Sequence, residues 1–232
     1  MSINKQQQGI RRTLVIGSLL VLAGLVPAGI SFGSELLDYQ RFSEAVETAS
    51  AEAEAKGGAW PQLNGVCTPC HGADGNTINQ LYPRLAGQPA AYLNAQLNAF
   101  ASSKRPNPTM SSLAINLSPA EIEQLSAFFA AQAAEPNSTF EPDPQQRALG
   151  EQLSDVGNCA ACHGAQLQGQ GTFSRLAGQG YDYLVKQLQD FKTGARQDAS
   201  GVMLPITVQL SEQDIASLAT YLASLQGAVN AK

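Results

Sequence analysis

One five-residue pattern occurs twice in this 232-residue chain, as Cys67-Thr68-Pro69-Cys70-His71 and as Cys159-Ala160-Ala161-Cys162-His163, with 92 residues from Cys67 to Cys159. These motifs hold all four cysteines and both histidines of the protein. C-x-x-C-H is the covalent attachment signature of c-type haem. Two thiols one helical turn apart add to the vinyl groups of one porphyrin, and the next residue offers its imidazole to the iron. Paired cysteines also serve as redox dithiols or as half of a zinc site. A zinc site needs four ligands in one cluster, and these two pairs lie far apart in sequence. The motifs therefore predict two covalently bound haems c, linked through Cys67 and Cys70 and through Cys159 and Cys162, with His71 and His163 on the irons.

The second axial position has a candidate in each case. Apart from Met1 the chain has only Met110, 39 residues beyond His71, and Met203, 40 residues beyond His163. A methionine usually fills gaps in a core. Two of two at nearly the same offset point instead to His/Met ligation, which raises the reduction potential. An iron with both axial positions filled suits electron transfer, not substrate turnover.

The repeat extends well beyond the motifs. Pro83-Arg84-Leu85-Ala86-Gly87-Gln88 matches Ser174-Arg175-Leu176-Ala177-Gly178-Gln179, and Arg84 to Arg175 and Phe100 to Phe191 both span 91 residues. Met110 to Met203 and Leu117 to Leu210 both span 93. Two copies of one small domain are implied, each of a size that needs extra apolar bulk to make a core. Within each copy the periodicity is helical. Tyr92, Leu93, Leu97 and Phe100 form a stripe behind Pro89, and Tyr183, Leu184, Leu188 and Phe191 repeat it. Ser118-Pro119-Ala120-Glu121 reads as a capping box with proline at the first helical position, leading into Ile122, Leu125 and Phe128 or Phe129. Ser211 to Asp214 opens the equivalent helix, with Ile215, Leu218, Leu222 and Leu225 behind it. No convincing period-2 strand is visible, and the methionines fall in loops between helices.

The order of helix, CxxCH, RLAGQ loop, helix, methionine and terminal helix resembles a class I cytochrome c domain, and the pair resembles the di-haem cytochrome c4 family, over about residues 57 to 227. The resemblance implies an all-α fold of two tandem cytochrome c-type domains. It also implies that the carbonyl of Pro83 accepts a bond from the proximal His71, and that Arg84 and Arg175 partner haem propionates; as residues alone, these arginines are equally well read as surface charges. Ser174 stands where the first copy has Pro83, leaving a carbonyl without the rigid ring. The run from Gly57 to Gly65 into the first motif carries helix breakers, so a shorter or kinked opening helix is expected there, with Trp60 packed in the core or at the haem edge.

Lys5, Arg11 and Arg12 precede an uncharged run from Thr13 to Ser34. That length fits a retained membrane anchor, while Ser31-Phe32-Gly33 leaves a cleaved signal open. Either way the charges keep the N-terminus cytoplasmic and place the remainder in the periplasm. Beyond them, 11 basic residues face 19 acidic ones, a net −8, which disfavours nucleic acid and favours steering toward a basic partner face. The expected organisation is an anchor or signal at 1–34, a stalk at 35–56, domains at 57–134 and 147–232, and a proline-rich linker at 135–146. The family likeness implies an electron carrier, not an enzyme, passing electrons from a quinol:cytochrome c reductase to a terminal oxidase. A fixed subunit of an oxidase or of a periplasmic dehydrogenase is the alternative; a di-haem peroxidase fits poorly, because no histidine remains for it.

Overall fold

The computed structural model describes residues 63–226, with isolated positions between Gln40 and Ala51. Those isolated positions are helical, with Thr48 Oγ1 donating to the Glu44 carbonyl at 2.7 Å. The uncharged run 13–34 and Trp60 lie outside the described residues. Among the described ones, no helix is long and apolar enough to cross a membrane. The chain divides into two compact units, Met1–Gln62 and Leu63–Lys232, and the second contains both copies of the repeat.

In that unit the first copy begins with a four-residue 3-10 turn, Leu63–Val66, followed by α1 (Thr68–His71), α2 (Ala90–Ala101), α3 (Pro108–Ala114) and α4 (Pro119–Ala131). The second copy runs through α5 (Pro144–Val156), α6 (Ala160–His163), α7 (Tyr181–Lys192), α8 (Met203–Thr207) and α9 (Glu212–Ser224). No strand forms among the described residues, only an isolated bridge between Gln170 and Phe173. The all-α expectation holds for this part of the chain.

Local chemistry explains the boundaries. Ser118 accepts from the Glu121 amide while Glu121 reaches back to the Ser118 amide, and Ser211 and Asp214 do the same at α9. Each box satisfies donors that a helix start leaves open. Asp143 Oδ1 accepts from Gln145 N and Gln146 N to open α5. The methionines correct one expectation: they sit on short helices rather than in irregular loops. Asn107 with Pro108 at the first position starts α3, and Met203 is the first residue of α8.

Each copy packs its long middle helix on its terminal helix, α2 on α4 and α7 on α9. Leu93, Leu125 and Phe129 form the buried centre of the first copy. Leu167, Ala177, Leu184, Ala219, Leu222 and Ala223 form that of the second. The second is larger because α5 lies along α9, so closely that a Cβ on Gly150 would run into the Ser217 carbonyl. In the first copy, among the described residues, the 3-10 turn is what packs against α4 at the equivalent place; the run 57–62, where a shorter or kinked helix is expected, lies outside the described residues.

Candidate functional site

Both CxxCH segments form single helical turns that end abruptly. Gly72 and Gly164 follow the histidines with φ of +82° and +86°, a region that favours glycine and releases the chain at once from the helix. The four thiols are free and half-buried. Burial pushes the Cys67 and Cys159 thiols up from their ordinary range, so neither is an activated thiolate at neutral pH.

The imidazoles are placed alike. His71 Nδ1 lies 2.8 Å from the Pro83 carbonyl, and His163 Nδ1 lies 2.7 Å from the Ser174 carbonyl. A carbonyl only accepts, so each ring donates from Nδ1 and keeps its lone pair on Nε2. Burial lowers both pKa values, outweighing the carbonyl bond that raises them, and the neutral form is the one that binds metal. Replacing Pro83 by Ser174 has left the bond unchanged. An aromatic edge flanks each ring, Tyr82 at 6.2 Å from His71 and Phe173 at 6.0 Å from His163.

Met110 and Met203 are half-buried on α3 and α8, which pack against α2 and α7 of their own copies. Asn107 Oδ1 accepts from Met110 N at 2.8 Å. Asp198 Oδ1 accepts from Met203 N at 3.1 Å. Burial raises the Asp198 carboxyl, but bonds from Ser200, Met203 and Val202 outweigh it and hold it below the usual range.

Arg84 and Arg175 are not surface charges. They are 3% and 1% exposed and meet in the seam between the copies. Gln88 and Gln179 lie there too, and the four residues pair reciprocally. Gln88 Nε2 donates to the Arg175 carbonyl at 3.0 Å, and its Oε1 accepts from Arg175 N at 2.8 Å. Gln179 Nε2 donates to the Arg84 carbonyl at 3.0 Å, and its Oε1 accepts from Arg84 N at 2.6 Å. The guanidiniums bond to carbonyls, Arg84 Nη2 to Glu135 at 2.8 Å and Arg175 Nη2 to Ala86 at 2.9 Å. Burial, then repulsion from Arg84, push Arg175 down to about 10. Each arginine leaves its buried Nε without an acceptor. Two buried like charges with orphaned Nε donors could take a further acceptor, a place that a haem carboxylate would fit. Large apolar side chains are also exposed in both copies, among them Ile78, Leu81 and Ile115 in the first and Leu204 and Ile206 in the second, which suits the covering of a large apolar group. The residues fit haem.

A second reciprocal cluster lies in the same seam. Arg105 donates to Tyr183 Oη at 3.0 Å and Gln187 Oε1 at 2.6 Å, and Arg196 donates to Tyr92 Oη and Gln96 Oε1, both at 3.2 Å. Arg105 stacks on Phe100 at 4.6 Å and Arg196 on Phe191 at 4.5 Å. Burial raises the Tyr183 hydroxyl, but the two guanidiniums outweigh it and hold it below the ordinary tyrosine value. Sequence reading missed this cluster. Its signal was present as pairs 91 residues apart, Gln96 with Gln187 and Arg105 with Arg196.

Helical copies built on CxxCH turns, each with a carbonyl-anchored imidazole, define a tandem c-type cytochrome. Residues 147–226 match the cytochrome c family model. Cytochrome c4 of Thiocapsa roseopersicina is 35% identical over 175 residues, 71% of this chain and 89% of that protein. The crystal structure of reduced recombinant cytochrome c4 from Pseudomonas stutzeri superposes with a TM-score of 0.65 at 30% identity, covering 75% of this chain and 98% of that one. A thiosulfate dehydrogenase electron acceptor of Stutzerimonas stutzeri is 33% identical over 73% of this chain and 83% of its own length. The chain belongs to the di-haem cytochrome c4 family and is an electron carrier.

Proposed function

We propose that the chain holds two haems c and relays electrons within a periplasmic respiratory route. Cys67 and Cys70 bind the first by thioether bonds, and Cys159 and Cys162 bind the second. His71 and Met110 ligate one iron; His163 and Met203 ligate the other. When bound, each haem supplies one-electron cycling between ferric and ferrous iron. The chain's own residues keep that change small. The Pro83 and Ser174 carbonyls fix the imidazole planes through Nδ1. Arg84 and Arg175, whose buried Nε donors lack an acceptor in the protein, would pair with propionates and balance the buried charge. No acid, base or nucleophile is required.

The observation that carries this reading is the matched pair of histidines, each neutral, tied at Nδ1 to a carbonyl and free at Nε2. Met203→His tests it. Redox titration should show one haem falling substantially in potential, because thioether ligation raises it. No change at either haem would remove Met203 as a ligand.

The donor in this reading is a quinol:cytochrome c reductase and the acceptor a terminal oxidase, met through the acidic surface of the exported part. The basic residues before the uncharged run 13–34 support anchoring at the inner membrane with the haem-bearing copies in the periplasm. A second reading is a fixed electron-accepting subunit of a periplasmic dehydrogenase, favoured by the likeness to the thiosulfate dehydrogenase electron acceptor. Purification in mild detergent separates the two: stoichiometric recovery with a catalytic subunit supports the second.

A further inference from the structure

The two methionine helices are fastened by the same bond from chemically different groups. In the first copy the neutral amide of Asn107 accepts from Met110 N. The Asn107 backbone N–H donates to Ser111 Oγ at 3.2 Å. In the second copy a carboxylate does this work. Asp198 Oδ1 accepts from Met203 N at 3.1 Å, and Oδ2 accepts from Val202 N at 3.3 Å and from the Ser200 hydroxyl. Asn107 and Asp198 are 91 residues apart, the register that also relates Gln88 to Gln179 and Arg105 to Arg196. The positions are therefore structural equivalents that differ by one full charge.

That charge is held in place. Asp198 is partly buried, three donors orient its two oxygens, and it takes part in none of the salt bridges formed among the described residues. A fixed anion beside a redox centre stabilises the more positive, oxidised state. A neutral amide in the same place does not.

We propose that Asp198 is a positioning residue for Met203 that also sets the potential of the second-copy haem lower than an amide would, and that Asn107 positions Met110 without that bias. This position thus adds a difference of one charge to the other differences between the two sites. This rests on the His/Met ligation proposed above, and the two are tested separately. The far-red absorption band of sulfur-ligated ferric haem reports ligation; spectroelectrochemical midpoints report the effect of charge.

Asp198→Asn keeps an acceptor for Met203 N and removes the charge. It should retain the far-red band, raise the midpoint of one haem and leave the other in place. Asn107→Asp should lower the midpoint of the other haem. Asp198→Ala loses both acceptor and charge, and should weaken the band and speed displacement of the thioether by added imidazole. Unchanged midpoints in Asp198→Asn and Asn107→Asp, with the band intact, would overturn the proposal and leave Asp198 a simple cap. A wild-type protein without the band would overturn the ligation reading instead, and this proposal with it. Should Asp198→Asn not fold, Asn107→Asp decides the question alone.

Discussion

Gln88 and Gln179 are the residues on which the seam most visibly turns. An amide side chain carries a donor and an acceptor at one end, and here it completes both backbone groups of an arginine in the other copy. Gln88→Leu would fill similar space and leave the Arg175 N–H and carbonyl without that partner. A buried unsatisfied group costs about 1–3 kcal/mol, so a stability loss of about 2 kcal/mol or more is expected from denaturant melts of the holoprotein. A loss under about 0.5 kcal/mol, the range of neutral surface changes, would show that water replaces the amide. At this scale the sequence was half legible. The cysteines, histidines and methionines announce themselves through residue type and offset. Pro83 and Ser174 act through a backbone carbonyl, which every residue has; the Pro83 role follows from the family resemblance rather than from side-chain type, and both bonds are present. The doubled arginines were visible, but their burial was not, because it depends on a partner about ninety residues away.

Helix starts are where local signals were strongest. The capping boxes at Ser118 and Ser211 and the proline at the head of α4 stand where their residue types place them. Hydrogen bonds from Ser118 hold the Glu121 carboxyl below its usual range, and those from Ser211 do the same for Asp214. A carboxyl depressed in the folded state contributes stability that is present above its unfolded pKa and is lost as pH falls through the folded one. The double variant Glu121→Gln and Asp214→Asn should therefore lower thermal stability slightly at neutral pH, leave it nearly unchanged at low pH, and so flatten the acid limb. An unaltered acid limb would place the acid sensitivity elsewhere. The start of α7 was not legible at all. Its first residues carry no side-chain cap of their own; Gln80 of the first copy serves instead, its carbonyl accepting from Tyr183 N and its Oε1 from Tyr181 N, both at 2.9 Å. Tyr92 and Tyr183 read as members of apolar stripes, and their rings do lie on those faces. Only the fold shows that their hydroxyls answer arginines across the seam.

Across the described residues 63–226, the two copies share backbone and side-chain partners, so they should not melt apart. Thermal unfolding followed at the haems and by far-ultraviolet circular dichroism should give one coincident transition, and Gln88→Leu should move the entire curve. Two separated steps would mean the copies are independent. The linker belongs to the same unit, with Asn137 Nδ2 donating to the Gln179 carbonyl at 3.2 Å and to Gln80 Oε1 at 3.0 Å. The reciprocity of the glutamine pairing has a last consequence. A surface on which one residue meets a second, and the second's counterpart meets the first's, is the kind that joins identical subunits about a two-fold axis. Here a peptide tether has converted that self-recognition into an intramolecular event, so it persists at any dilution and leaves each half free to diverge in charge without forfeiting its mate.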